Sequence, residues 1–184
     1  MRIKALILAS AMAFGLVQSL AAVPAAADTP RTSAELAKEL VSVMTTLKLD
    51  AIAAKDPAEP SRIVAALAFP GVQLLVTSSQ HKSFDYLVSQ ISKRKFREVY
   101  ETLQNGEPEG RLFFHDMGCD GFTPGENVDI FYEGPTARTM FDGNWEAQGL
   151  TEPAYSEKLK QAEEKFAHAL TVLLDAARKM ATLP

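Results

Sequence analysis

The segment from His115 to Phe122, HDMGCDGF, holds one of the three histidines, the sole cysteine, two aspartates and two glycines. Three kinds of chemistry could use such a set. Carboxylates at alternate positions, with a glycine that lets the chain turn sharply, can converge on a hard divalent cation. Asp116, Gly118, Asp120 and Gly121 follow the first half of such a calcium loop. The second half departs from it: no carboxylate occupies the third position, Asn127 stands where the closing glutamate belongs, and Glu126 falls one place early. Asp116, Asp120 and Glu126 are therefore the candidate ligands for a divalent cation. The competing reading is a glycine-rich turn whose carboxylates cap backbone amides, and that is the expectation carried forward.

His115 and Cys119, four residues apart, offer an imidazole and a thiolate, which zinc and copper both accept. Two ligands do not complete a site, because His81 and His168 are remote in sequence and no second cysteine exists. A cysteine nucleophile would need a base held beside a thiolate. His115 with Asp116 could supply one, but no nucleophile-elbow signature surrounds Cys119. A lone cysteine excludes an internal disulfide, and packing as a small hydrophobe is the ordinary fate of such a residue. The chain thus reads as a non-catalytic protein rather than an enzyme.

A second concentration is FDGNW, Phe141 to Trp145. Asp142 and Gly143 signal a turn, and Trp145 stands just before the last helical pattern, where it either closes the core or lines a ligand or partner site. Phe131 and Tyr132, neighbours on one strand, must face opposite sides of a sheet, leaving one of them for a cleft or the surface. The candidate ligand- or partner-binding set is thus His115, Asp116, Cys119, Asp120, Tyr132 and Trp145.

These residues need elements to position them. TSAE, Thr32 to Glu35, has the form of a capping box, and Leu36, Leu40, Val43 and Leu47 continue at helical spacing. Pro57 and Pro60 break the chain. RIVAALAF and VQLLVTS, separated by Pro70 and Gly71, read as two strands buried on both faces. Ser83 to Leu103 fits a long helix whose outer face carries Lys93, Arg94 and Arg97 as a solvated basic cluster. RLFFHD, VDIFYE and ARTMFD read as three strands, and Pro153 to Met180 as a final amphipathic helix.

The expected architecture is α+β: an antiparallel sheet of about five strands with helices packed on it, in the order α-β-β-α-β-β-β-α. That order resembles the element order of profilin-like and roadblock-like domains and of small extracytoplasmic sensor folds. The resemblance is one of order alone and implies no site.

The chain opens with Arg2 and Lys4, runs apolar from Ala5 to Val23, and then places Ala25 and Ala27 at the small-residue cleavage spacing. This is the form of a secretory signal peptide over residues 1–27. Residues 28–184 then make a single α+β domain, periplasmic or secreted, with no further membrane span. Losing Arg2 and Lys4 takes the formal net charge from −4 to −6. An acidic chain of this kind disfavours nucleic acid, which is bound by excess Lys and Arg. The partner left by these exclusions is a small ligand or another exported protein, with a divalent cation as the alternative.

Overall fold

The computed structural model describes residues 30–80, 111–123, 128–134 and 137–181. The signal segment 1–27, the helix expected over Ser83 to Leu103 with its basic cluster, His81, Glu126 and Asn127 lie outside the described residues.

Helix α1 (Ser33–Thr46) starts where the capping box places it. The Glu35 amide donates to Thr32 Oγ1 at 3.3 Å, and the Thr32 amide donates back to Glu35 Oε2 at 3.0 Å, so amides that the first turn leaves free are satisfied locally. Leu36, Ala37, Leu40, Val41 and Met44 form its buried stripe. Six strands follow: β1 (Ala51–Lys55), β2 (Arg62–Phe69), β3 (Gln73–Gln80), β4 (Leu112–Met117), β5 (Asp129–Glu133) and β6 (Ala137–Phe141). They form one antiparallel sheet in which each strand pairs with the next in sequence. Between β2 and β3, Pro70 fixes the first turn position and Gly71, at φ 72°, the second. The Val72 amide closes that turn on the Phe69 carbonyl at 2.9 Å. Helix α2 (Glu152–Ala181) ends the described chain.

The general α+β architecture holds, but the expected strand count and order need correction. Among the described residues the sheet has six strands, and β1 precedes the two strands read from the sequence. Its sequence, AIAAK, is short and three-fifths alanine, a residue with helical rather than strand preference. Only pairing makes it a strand: Ile52 lies opposite Ala66 and Ala54 opposite Val64 on β2.

Both helices pack on one face of the sheet. There Val64, Ala66, Leu74, Val76, Phe114 and Phe131 meet Leu40, Met44, Phe166, Leu170 and Leu173. The opposite face buries a smaller group, Ile63, Ala65, Leu67, Leu75 and Phe113. This explains why β2 and β3 read as nearly unbroken apolar runs: alternate residues are buried on two different sides. At the far edge, the Gln148 side-chain amide accepts from the Met140 backbone N–H at 2.9 Å and donates to the Met140 carbonyl at 2.7 Å. A side chain thereby takes the place of a seventh strand and blunts that edge of β6.

Candidate functional site

The loop that leaves β4 is built by three unusual backbone positions within four residues: Gly118 at φ 107°, Cys119 at φ 60° and Gly121 at φ 84°. Glycine adopts such angles freely, whereas Cys119 carries local strain. The turn carries the chain off the end of the sheet and onto the N-terminus of α1. Gly121 comes so close that a Cβ there would stand 2.4 Å from the Ala34 amide nitrogen and 2.5 Å from Ser33 Oγ. The next residue, Phe122, donates its amide to Ser33 Oγ at 3.0 Å. Ser33 in turn gives its own amide to Glu163 Oε1 of α2 at 2.7 Å and its hydroxyl proton to Glu163 Oε2. One serine therefore ties the loop to both helices. Phe122 completes the attachment by packing against Phe114, Phe141 and Phe166, with ring centroids 5.8, 5.7 and 4.9 Å away.

Two aspartates stitch this loop from beneath. Asp116 accepts the Asp120 amide on Oδ1 and the Gly121 amide on Oδ2, both at 3.1 Å. Asp129 accepts the Met117 amide at 3.0 Å and the Thr123 amide at 3.1 Å, one on each oxygen. Both carboxyls are wholly buried, at 0% exposure. Extending the β4–β5 register one step beyond His115 and Ile130 sets Asp116 directly across from Asp129, where like charges repel. With Asp120 they form a cluster in which one oxygen from each lies within 4.8 Å of the others. Asp120 Oδ1 is itself buried and has no hydrogen-bond partner. Burial pushes the Asp116 carboxyl up to about 6, against the pull of its amide donors. It pushes Asp129 up to about 7, with the neighbouring aspartates adding to the rise. The spacing of the three would admit a hard cation, but each oxygen of Asp116 and Asp129 already caps a backbone amide, the pattern a side-chain-capped turn requires. Asp129 was absent from the sequence-derived candidates. Its signal was its place two residues before Phe131, which puts both side chains on the same face.

The other candidates divide between the two sides of the sheet. His115 and Tyr132 alternate with Phe114 and Phe131 and so face away from Asp116. His115 Nε2 meets Gln73 Oε1 at 2.8 Å, and burial lowers its pKa, favouring neutral imidazole. Tyr132 packs edge-on against Phe113 with centroids 5.6 Å apart, and the Arg138 guanidinium lies 5.9 Å from its ring centre. Cys119 points the other way, into the helix-covered core, with its thiol 3.7 Å from the Phe69 carbonyl. Burial, together with the Asp116 charge, raises that thiol to about 11, so it stays protonated at neutral pH. The strand thus separates His115 from Cys119 instead of joining them. Trp145 packs against Tyr155, whose hydroxyl accepts the Gly143 amide at 2.9 Å, and so closes the end of the core.

A concavity that the motifs did not foreshadow lies at the other end of the sheet. A groove of about 380 Å³ runs between the β1–β2 turn and α2, with Ser78 and Leu112 among its lining and Asp56, Arg62, Lys165 and His168 around it. Asp56 is buried and accepts from His168 Nε2 at 2.8 Å and from the Ala58 amide at 2.9 Å. Burial opposes its ionisation, but these donors prevail and hold its carboxyl below the ordinary range. Arg62 binds Glu59 at 2.8 Å, and Lys165 reaches Glu133 at 2.5 Å. Charges of both signs therefore surround a partly apolar floor. Among the described residues, no helix is long and apolar enough to cross a membrane. Comparison with known proteins finds no matching family, no matching curated protein and no matching solved structure.

Proposed function

We propose that this chain is an exported, non-catalytic binding module that takes up a small ligand or an exported protein partner. The observation that carries this reading is the groove of about 380 Å³ between the β1–β2 turn and α2. Its volume falls within the usual range for small-ligand sites, and such sites combine an apolar floor with a few fixed polar groups. Here the polar groups are fixed in advance, His168 by the buried Asp56 and Arg62 by Glu59. A ligand with both an anionic and a cationic group would meet charges of both signs around the groove. The protonated, core-facing thiol of Cys119 argues against a cysteine nucleophile. The signal-like N-terminal sequence supports export.

The test is native mass spectrometry of protein recovered from its own exported compartment. The expected result is a mass above that of the processed chain, released on denaturation and diminished by Arg62→Ala in the groove wall. A bare processed chain, with no released compound and no co-purifying protein, would overturn the reading. A mass that still includes Met1 to Ala27 would overturn its exported, soluble part.

A further inference from the structure

We infer that the groove between the β1–β2 turn and α2 takes an organic cation, a protonated amine on a small apolar body, whose ammonium head is received by Glu164. The inference rests on the reading of that groove as a binding site and names the class of ligand it takes.

The balance of charges carries it. Helix α2 brings Glu164, Lys165 and His168 to the groove, the β1–β2 turn brings Asp56, Ala58 and Glu59, and Arg62 stands at the start of β2. Each basic group among them is already held by a carboxylate: Arg62 by Glu59 at 2.8 Å, Lys165 by Glu133 at 2.5 Å and His168 by Asp56 at 2.8 Å. An anionic ligand would have to displace one of these partners. At His168 that would strip a donor from Asp56, a buried carboxylate, and an unpaired buried charge is costly. Glu164 differs. Among the described residues its carboxylate has no hydrogen bond and no ion pair, so a cation that reaches it displaces nothing. With Glu133 included, four carboxylates stand against three basic groups, and the local field favours a cation too.

The floor suits the rest of such a ligand. Ser78 lies directly across from Leu112 in the β3–β4 register, so both side chains meet the groove from the helix-covered face of the sheet. Leu112 and Ala58, with the methylene stems of Arg62 and Lys165, offer apolar surface. The Ser78 hydroxyl makes no hydrogen bond among the described residues and can accept one. Open acceptors beside committed donors are the complement of an ammonium group, which only donates. A hard divalent cation is a poor occupant, because it takes about six to eight oxygens and Glu164 is a single open carboxylate.

Three probes that share one ring and differ in charge test this: benzylammonium, benzyl alcohol and benzoate, each titrated into the protein at pH 7 while the Ala58 and Leu112 amide chemical shifts are followed. Benzylammonium should bind about two- to fivefold more tightly than benzyl alcohol, the range open to an exposed ion pair, and benzoate most weakly. Salt at 1 M should shrink that margin. Glu164→Gln should abolish it and leave the benzyl alcohol affinity unchanged, whereas Glu157→Gln, on the same helix but outside the groove, should keep it. An undiminished margin in Glu164→Gln, or tighter binding of benzoate, would overturn the cation assignment and leave the groove a binding site. No shift with any of the three, together with a bare chain in the native mass spectrum, would overturn the assignment and the binding reading alike.

Discussion

Replacing Gly121 with alanine isolates the contact on which the loop depends. Two effects add. The residue sits at φ 84°, where an L side chain is strained by about 1–2 kcal/mol. The new methyl would also stand 2.4 Å from the Ala34 nitrogen and 2.7 Å from its Cα, both backbone atoms that no rotamer change can move. Relieving that overlap requires the loop to retreat by roughly 1 Å, judged against ordinary nonbonded separations of about 3.5 Å. Such a retreat breaks the 3.0 Å bond from the Phe122 amide to Ser33 Oγ. Leaving a buried donor unsatisfied costs about 1–3 kcal/mol. The expected destabilisation is therefore about 2–5 kcal/mol, a large fraction of an ordinary domain's stability. Gly71→Ala is the control, since its φ of 72° is similar but nothing lies within 4 Å of the added methyl. It should lose only the strain, about 1–2 kcal/mol. Urea unfolding of both variants at one pH measures the difference, about 1–3 kcal/mol, and heating should separate their midpoints by roughly 2–12 °C at about 2–4 °C per kcal/mol. Equal losses in the two variants would refute the close approach of the loop to α1.

Cys119 should resist alkylation in native protein at pH 7.5 and react fully in urea, because its thiol is buried and raised to about 11. Fast native labelling would place it in a reactive setting instead. Ser33→Ala removes the hydroxyl that accepts from Phe122 and donates to Glu163, and should destabilise by about 2 kcal/mol in urea unfolding. A neutral effect there would mean that the loop is held by Phe122 packing alone.

Much of this protein was written in short-range sequence patterns. The start of α1 was legible because Thr32 and Glu35 satisfy each other within a single turn. The β2–β3 hairpin was legible because Pro70 and Gly71 supply the two required angles without outside help. The long α2 announced itself through apolar residues at helical spacing, which need only some apolar surface opposite. The rest depended on pairing between distant segments. AIAAK has no strand preference of its own and becomes β1 only by lying beside β2. Asp129 joins Asp116 because antiparallel register sets the two across from each other, and a register is fixed by the whole hairpin rather than by either residue. His115 and Cys119, close in sequence, were sent to opposite sides by strand alternation followed by a turn at positive φ. Local chemistry acts over a few bonds and can be read along the chain, whereas which carboxyls become buried neighbours is decided when the sheet closes and water leaves.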